Sequence, residues 1–295
     1  MSDVRIIHGD SRSAARLVPD LVGRVALAVT SPPYHNAIDY ESHASDPEAN
    51  YRPRQEVDYG GEYLDLLDSV WDACWEMLRP GAYLAVNVGT VLDAGYQYPL
   101  PQDLTDRLVA SRARPWRFER VIYWNKVTAG VKRAGSVIQH PLPGYWHPNI
   151  MTEHIILVSK PGRSLKPRAD VPPAWLSDVW DVAPVPPRTL PHPAPVPEEI
   201  PHRLTRMLTR DDDWIMDPFN GVGTSTKAAA DLGRSALGFD IEASYVAFAQ
   251  GRLGRDSAVR TMQLAVAPVR VDDFVPKTRR SAERTRHGAG LATKR

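Results

Sequence analysis

Short apolar runs alternate along the chain with segments in which apolar residues recur every three or four positions, and this alternation predicts an α/β protein. Seven strands are predicted, over residues 4–8, 25–30, 83–88, 117–124, 154–159, 213–217 and 235–240. Helices are predicted over residues 11–17, 62–78, 103–111 and 198–208. Such an order of elements indicates a parallel sheet with helices on both faces.

The helix predicted over residues 62–78 has the clearest apolar face, and this face includes Cys74, the only cysteine of the chain. A cysteine in that position is predicted to pack in the core and not to act as a nucleophile. A single cysteine also excludes an internal disulfide and a thiolate zinc cluster. We expect no metal site, because the spacing of His140, His147 and His154 crosses from a loop into a strand.

The length and charge of the chain indicate one domain with a basic tail. A chain of 295 residues with 43% apolar content can bury a sizeable core, and we expect one domain over residues 1–275. Residues 276–295 hold seven Lys and Arg residues against Glu283 alone, so this tail has a net charge of +6. The net charge of the whole chain is +1. The tail is predicted to be disordered, and it either attracts nucleic-acid phosphates or is a solvated end. The rest of the chain therefore has a net charge of −5, so any basic surface outside the tail is local.

The distribution of apolar residues also bears on the compartment. No run of 18 apolar residues occurs, and residues 1–5 lack the apolar core of a secretion signal. Together with the single cysteine, this predicts a cytoplasmic protein without a membrane span.

The predicted strand over residues 25–30 leads into a motif of hydroxyls, two prolines and an aromatic ring: Thr30-Ser31-Pro32-Pro33-Tyr34. Ligands of open α/β sheets bind beyond the carboxyl ends of the strands, where this motif is expected. Proline has no N–H to donate, so the carbonyls here can accept from a substrate amine, and Tyr34 offers a face to a planar base. The arrangement suits the exocyclic amine of a nucleobase, and the alternative is a strand followed by a proline turn.

A second motif has the pattern strand, glycine turn, helix: Asp217-Pro218-Phe219-Asn220-Gly221-Val222-Gly223-Thr224. Gly221 and Gly223 permit positive φ and close approach of a ligand, and the start of the helix offers N–H groups to an anion. Asp240 ends the next predicted strand, 23 residues after Asp217, where a carboxylate can accept from two ribose hydroxyls. A dinucleotide-binding loop has a third glycine at the position of Thr226. The motif therefore favours a nucleoside without phosphates over a dinucleotide with its pyrophosphate.

These motifs and their order resemble those of the amino-group DNA methyltransferases of the permuted β type, in which the catalytic half precedes the S-adenosylmethionine half. The resemblance runs from about Ile6 to Leu253 and also rests on Gly9-Asp10, Arg79-Pro80-Gly81, residues 121–126 and His192-Pro193-Ala194-Pro195-Val196-Pro197. It implies a Rossmann-like, seven-stranded S-adenosylmethionine-dependent methyltransferase fold with circularly permuted motif order. Val222 and Val196 differ from the usual serine and phenylalanine of the family, but neither change removes a glycine or an acid.

The resemblance implies methyl transfer from S-adenosylmethionine to the exocyclic amine of a base extruded from double-stranded DNA. The catalytic residues would be Ser31, Pro32, Pro33 and Tyr34. Ser31 and the Pro32 carbonyl would accept the hydrogens of the amine, and Tyr34 would stack on the ring. Serine at position 31 favours N4 of cytosine, and N6 of adenine is the alternative. A catalytically silent DNA-binding component of a defence system is a second alternative, against which the two intact motifs argue.

The resemblance also assigns residues to the cofactor: Asp10, His192, Pro193, Asp217, Pro218, Phe219, Gly221, Gly223, Thr224 and Asp240. Residues 217–223, here called the glycine loop, would surround the methionine moiety, Asp240 would bind the ribose and Asp10 would lie near the adenine. Asp10 has a helix cap as its alternative role, and Phe219 has a place in the core.

Target recognition is expected within residues 127–195, which are rich in proline and contain several cationic side chains. The candidate DNA contacts are Lys126, Lys132 and Arg133, and the alternative is that this region holds only extended connectors. Residues 35–61 are predicted to form a lid over the base. A cognate restriction endonuclease is a candidate partner of such an enzyme.

Overall fold

The computed structural model describes residues 2–34, 58–93, 96–126, 150–163, 170–186 and 189–253. The chain divides into two units, Met1–Ala265 and Val266–Arg295. The first unit contains all the helices and strands that the described residues form. The tail over residues 276–295 lies outside the described residues, so its disorder stays a prediction.

The described residues form an eight-stranded sheet with the strand order β1-β10-β9-β2-β3-β7-β6-β8. Its strands are β1 (Val4–His8), β2 (Val25–Thr30), β3 (Leu78–Val88), β6 (Arg117–Asn125), β7 (Thr152–Ser159), β8 (Val179–Asp181), β9 (Trp214–Asp217) and β10 (Ser235–Asp240). Two short strands, β4 (Val91–Asp93) and β5 (Tyr96–Tyr98), form a separate antiparallel hairpin.

The sheet is mixed, and the prediction of a wholly parallel sheet is wrong at β7. The five strands from β1 to β3 in the sheet order are parallel to one another. In contrast, β7 is antiparallel to both β3 and β6. A parallel return from β6 would need a crossover connection, usually a helix, whereas an antiparallel return needs none.

All seven predicted strands are present, and β8 is an addition that the sequence analysis does not predict. It is only three residues long and lies in the proline-rich part of the chain. It pairs with β6, with Val179 opposite Tyr123. Because β7 and β8 both lie within residues 127–195, part of the predicted recognition region belongs to the sheet.

Helices cover both faces of the sheet, as predicted: α1 (Ala14–Leu17), α2 (Leu64–Met77), α3 (Leu100–Ala110), α4 (Glu199–Leu208), α5 (Thr224–Asp231) and α6 (Ala243–Leu253). The first three pack on one face through buried residues such as Trp71 and Leu104. The other three pack on the opposite face through residues such as Leu204 and Ala249. Cys74 is fully buried among the first group, and burial raises the pKa of its thiol, as expected for a core residue.

The strand order reverses between β9 and β2, which are hydrogen-bonded neighbours. From this point the chain moves outward through β3 on one side and through β10 on the other. A reversal of this kind leaves a crevice at the carboxyl ends of the two strands, which is the usual ligand site of open α/β sheets. Among the described residues, none of the helices is long and apolar enough to span a membrane.

Candidate active site

The last residues of β2 and β9 meet at the reversal point and connect the two sequence motifs. Thr30 Oγ1 donates a hydrogen bond of 2.6 Å to Asp217 Oδ1, and both side chains are buried. Asp217 Oδ1 also accepts from the N–H of Phe219 at 3.0 Å. Burial raises the pKa of Asp217 to about 6, although hydrogen bonds from Thr30, Ser225 and the Phe219 N–H act to lower it. The start of the Ser31–Tyr34 motif therefore lies beside the start of the glycine loop.

The glycine loop turns sharply between β9 and α5. Gly221 has φ +50° and Gly223 has φ +81°, values that residues with a side chain rarely adopt. The loop is fastened to β10, because Asn220 N–H donates to the Phe239 carbonyl at 2.8 Å. A Cβ on Gly238 would lie 2.5 Å from Asn220 Cγ, so a glycine at this position lets the loop approach the strand. Pro218 belongs to the same loop, and Thr224, which is buried, is the first residue of α5.

Asp240 at the end of β10 holds the opposite side of the glycine loop. Its Oδ2 accepts from the Gly221 N–H at 2.7 Å, and its Oδ1 accepts from the Glu242 N–H at 2.8 Å. Burial raises the pKa of Asp240 to about 6, and the two N–H donors act in the opposite direction. Each carboxylate oxygen has a further lone pair, so the group can still accept from ribose hydroxyls.

His192 also lies against the glycine loop. A Cβ on Gly221 would lie 3.3 Å from His192 Nε2, and the His192 ring is 5.2 Å from the ring of Tyr245 in α6. The His192 Nδ1 accepts from the Ala194 N–H at 3.2 Å, which orients the ring. Pro193, between these two residues, is partly buried. The structure therefore brings His192 to the glycine loop, as predicted, and a cofactor contact by Pro193 stays a prediction.

Asp10 and Phe219 both have the structural role that was named above as the alternative to a cofactor contact. Asp10 Oδ1 accepts from the Arg12 N–H at 2.9 Å and so caps the short 3-10 helix Ser11–Ser13, and it also pairs with the Arg12 guanidinium. Phe219 packs edge-on against Trp71, with ring centroids 6.4 Å apart, at the border of the core. A cofactor contact by either residue stays a prediction.

In the predicted catalytic motif, residues 31–34, the backbone is held by a hydrogen bond while three side chains remain partly accessible. Pro32 is buried, and Ser31, Pro33 and Tyr34 are partly exposed. Tyr63 Oη donates to the Pro33 carbonyl at 2.8 Å, which ties the motif to the segment that precedes α2. The Pro33 carbonyl therefore already accepts a hydrogen bond from within the protein. The predicted acceptor of the substrate amine is a different group, the Pro32 carbonyl.

Tyr34 makes a contact that the sequence analysis does not predict. Its Oη donates to Glu153 Oε2 at 2.9 Å, and the same oxygen accepts from Asn87 Nδ2 at 2.6 Å. Glu153 Oε1 is paired with Lys126 Nζ. These contacts join Asn87 of β3 and Glu153 of β7 to residues that follow β2 and β6, and no local spacing in the sequence indicates them.

The contact with Glu153 corrects the prediction for Lys126. Its side chain is only 8% exposed and forms an ion pair with a carboxylate that is equally buried. A DNA-phosphate contact needs an exposed cation, so we assign Lys126 to this internal pair instead. Lys132 and Arg133, the other candidate DNA contacts, lie outside the described residues. The predicted lid over residues 35–61 is described only from residue 58 onward.

Two further residues near Asp240, Glu242 and Tyr245, were not predicted as part of the site, although their spacing of three residues is typical of one face of a helix. Glu242 and Tyr245 follow Asp240 by two and five residues, at the start of α6. Glu242 is fully buried and accepts from Ser244 Oγ at 2.6 Å. Tyr245 is 4% exposed, and its Oη has no hydrogen-bond partner among the described residues. Burial raises the pKa of Tyr245 to about 12, with smaller effects of Asp240 and Glu242.

Comparison with known proteins gives the family of this chain. Residues 25–251 match the N6_N4_Mtase family, which is described as DNA methylase. The chain belongs to this DNA methylase family. The predicted resemblance to the amino-group DNA methyltransferases is thereby confirmed, and so is the Rossmann-like α/β fold.

Individual members of the DNA methylase family match over most of the chain. The type II methyltransferase M.MjaI of Methanocaldococcus jannaschii is 26% identical over 287 residues, which cover 85% of this chain and 91% of M.MjaI. The type II beta methyltransferase M.BslI of Bacillus sp. (strain NEB-606) is also 26% identical and matches 84% of this chain. The match spans only 27% of M.BslI, so the longer relative contains much that this chain lacks.

Solved structures of methylases have the same fold. TTHA0409 of Thermus thermophilus, described as a DNA modification methylase and crystallised with S-adenosyl-L-methionine, has a TM-score of 0.63 and 27% identity. The match covers 88% of this chain and 99% of TTHA0409. The cytosine-N4-specific PvuII DNA methyltransferase has a TM-score of 0.66, but its identity of 19% shows only that the fold is shared.

The residues around the glycine loop fit the S-adenosylmethionine of the DNA methylase family. The loop offers two glycines of positive φ, and the Asp240 carboxylate lies beside it as a hydrogen-bond acceptor. The buried Tyr245 Oη lacks a partner among the described residues, and an unsatisfied buried hydroxyl costs about 1–3 kcal/mol. A polar ligand next to Asp240 and His192 can supply that partner.

Proposed function

We propose that this protein transfers a methyl group from S-adenosylmethionine to the N4 amine of a cytosine that is extruded from double-stranded DNA. Its membership of the DNA methylase family supports this proposal, as does the cofactor bound to the solved relative TTHA0409. The observation that carries it is the hydrogen bond between Thr30 and Asp217, because it brings the amine-binding motif next to the glycine loop.

In this proposal the glycine loop, His192 and Asp240 hold the cofactor, with Asp240 accepting from the ribose hydroxyls. When bound, S-adenosylmethionine supplies an electrophilic methyl group on a sulfonium. Tyr245 Oη is free to donate to a polar group of the ligand, since no described residue is its partner. Asp10 and Phe219 act from the border of this site, through the cap and the core contact that they form.

The residues of the catalytic motif prepare the amine. The lone pair of an exocyclic amine is delocalised into the ring, so acceptors must draw its hydrogens out of the ring plane before the nitrogen attacks. Ser31 Oγ and the Pro32 carbonyl are these acceptors, while the Tyr34 ring stacks on the base and fixes its distance from the methyl group. The nitrogen would form a bond to the methyl carbon as the carbon–sulfur bond breaks, the bonding pair would stay on sulfur as a neutral thioether, and one proton would pass from the methylated nitrogen to water. No covalent bond to the protein is needed, in agreement with the burial of Cys74.

The choice of cytosine over adenine follows from Ser31, since a neutral hydroxyl suits the cytosine amine and aspartate at this position is associated with adenine. Adenine N6 remains the second candidate, because both bases present a ring nitrogen beside the amine. Residues 127–195, including Lys132 and Arg133, would recognise the DNA sequence. A cognate restriction endonuclease would be the functional partner, in line with the type II methyltransferases among the relatives.

A product analysis tests this function. The protein is incubated with unmodified genomic DNA and cofactor labelled in its methyl group, and the DNA is digested to nucleosides for mass spectrometry. We expect the label in N4-methylcytosine, and less of it with the Asp240→Ala variant at the same subsaturating concentration of cofactor. Label in N6-methyladenine alone would assign the adenine reaction, and unlabelled DNA in the presence of bound cofactor would contradict the enzyme proposal.

A further inference from the structure

Three polar side chains from different strands or loops converge on one buried carboxylate at the catalytic edge of the sheet. Glu153 is 6% exposed and lies near the start of β7. Its Oε2 accepts from Tyr34 Oη at 2.9 Å and from Asn87 Nδ2 at 2.6 Å, and its Oε1 pairs with Lys126 Nζ. Of these groups, only Tyr34 belongs to the catalytic motif.

The topology explains why Glu153 is within reach of Tyr34. Because β7 runs antiparallel to β3 and β6, its first residues lie at the same edge of the sheet as the last residues of both neighbours. Glu153 stands opposite Trp124 of β6, and Asn87 is the penultimate residue of β3. Since β3 is the neighbour of β2, the loop that follows β2 carries Tyr34 over this carboxylate.

Glu153 is held in place independently of Tyr34. A Cβ on Gly89 would lie only 3.2 Å from Glu153 Cγ, so the side chain packs closely against the backbone after β3. Lys126 balances the negative charge, and its Nζ also lies 4.9 Å from the centre of the Trp124 ring. A buried carboxylate that is charge-balanced and hydrogen-bonded on both oxygens has one defined position, and it offers a fixed acceptor to the Tyr34 hydroxyl.

We propose that Glu153 is a positioning residue for methyl transfer: it orients the ring of Tyr34, and Lys126 acts on the reaction through Glu153. This inference rests on the proposed function, in which the Tyr34 ring stacks on the extruded base. A ring attached to a loop by Cβ alone can rotate about two torsions. A hydrogen bond at Oη fixes the direction of the axis from Cβ to Oη, and because a phenolic O–H lies in the plane of its ring, the direction of this bond also restrains rotation of the ring about that axis. Small errors in the position of reacting groups lower rates strongly, so loss of this attachment lowers the rate of the chemical step.

A double-mutant cycle on the reaction rate tests the proposal. Tyr34→Phe keeps the ring and removes the hydroxyl, and Glu153→Gln keeps the size and removes the charge. We expect each variant to lower the single-turnover rate by about tenfold, with the affinity for S-adenosylmethionine unchanged. Because both act on one contact, the double variant should be no slower than Glu153→Gln alone. Rate losses that multiply in the double variant, or an unchanged rate in Tyr34→Phe, would overturn the proposal.

The role of Lys126 has its own readout, which separates positioning from a phosphate contact. Lys126→Met should lower the single-turnover rate while leaving the salt dependence of DNA binding unchanged. A residue that contacts a phosphate would instead reduce the slope of log affinity against log salt by about one. A reduced slope with an unchanged rate would place Lys126 on the DNA and contradict our assignment.

A matched control distinguishes positioning from a general loss of stability. Asp213 is another buried carboxylate, which accepts from Arg79 at 2.7 and 3.1 Å, and it precedes β9 at the opposite edge of the sheet. Asp213→Asn should lower the melting temperature and leave the rate of folded protein unchanged. If Asp213→Asn slows the reaction as much as Glu153→Gln, the effect of Glu153 is only structural.

The contact itself can be tested without enzyme activity, which separates this inference from the proposed function. The same cycle of Tyr34→Phe and Glu153→Gln, followed by chemical denaturation, should show that the two losses of stability do not add. Coupled stabilities without methylation by the wild-type protein would contradict the proposed function and leave the contact established. Methylation by the wild type together with additive losses would contradict the role of Glu153 alone.

Discussion

Thr30 Oγ1 donates to Asp217 Oδ1 across the reversal point of the sheet, and the two residues are 187 positions apart in the chain. Thr30 is the last residue of β2 and precedes the catalytic motif, whereas Asp217 ends β9 and starts the glycine loop. One short hydrogen bond between buried groups therefore holds the predicted cofactor loop beside the predicted catalytic motif.

Replacement of Thr30 by valine should destabilise the protein more than the loss of a buried hydroxyl that donates to a neutral group. The variant keeps the shape of the side chain but leaves a buried carboxylate with one donor fewer, and a hydrogen bond to a charged group contributes about 1.5–3 kcal/mol. Chemical denaturation measures the change in the free energy of unfolding.

Thr209→Val is the matched control for Thr30→Val. Thr209 is equally buried, but its Oγ1 donates to the neutral Thr205 carbonyl at 2.6 Å, a group that also accepts from the Thr209 N–H. We expect a loss of about 0.5–1.5 kcal/mol there. Equal losses in both variants would mean that the charge of Asp217 adds nothing to the bond.

The bounds of β1, β2 and β10 were predicted to the residue, and β2 and β10 are buried along their whole length. Burial on both faces leaves a strong pattern in the sequence, and the order of the motifs then places Asp217 beside the catalytic motif. The direction of β7 and the existence of β8 were not predicted, because both depend on pairing between distant segments. The contacts of Glu153 have the same origin: its partners lie 119, 66 and 27 positions away.

Asp240→Ala should weaken S-adenosylmethionine binding by about 1.5–3 kcal/mol, the contribution of hydrogen bonds to a charged group. The carboxylate also accepts from the Gly221 N–H, so the variant loses part of the loop geometry as well. Calorimetric titration measures the affinity. An affinity equal to that of the wild type would remove Asp240 from the cofactor site.

The raised pKa of Asp240 predicts a pH dependence of cofactor binding. Only the ionised carboxylate accepts from two hydroxyls without competition from its own proton, and its pKa in the folded protein is about 6. Affinity should therefore be constant between pH 7 and 8 and fall below pH 6, by up to about tenfold per pH unit. Binding near pH 6 should release a proton, which calorimetry in buffers of different ionisation enthalpy detects.

The same pKa predicts the opposite trend for stability without cofactor. The folded state binds a proton at Asp240 more tightly than the unfolded chain, so this group stabilises the fold below its unfolded pKa, and the stabilisation is lost as the pH rises through 6. The wild type should therefore lose free energy of unfolding relative to Asp240→Asn between pH 4 and 7. A difference between the two proteins that changes in the other direction would contradict the raised pKa.

Gly223→Ala should lower stability through backbone strain and through a steric clash, and the variant Gly233→Ala separates the two effects. Gly223 has φ +81°, and a Cβ there would lie 2.8 Å from the Cβ of Ala249 in α6. Gly233 has φ +75° with no atom within 4 Å of its added Cβ. Gly233→Ala therefore measures only the backbone strain, about 1–3 kcal/mol. Thermal or chemical unfolding should show a larger loss for Gly223→Ala, and equal losses would mean that α6 moves aside without cost.

Tyr34→Ala should separate base stacking from cofactor binding. The contacts of Tyr34 run to Glu153 and the edge of the core, and the cofactor loop is held from the other side by Asp217 and Asp240. The variant should keep its affinity for S-adenosylmethionine and lose the stacking on the base, which contributes about 1–3 kcal/mol. Methylation of unmodified DNA should therefore slow by about one to two orders of magnitude. A parallel loss of cofactor affinity in calorimetry would show that Tyr34 supports the fold of the whole site, and the assignment of its ring to the base would then be wrong.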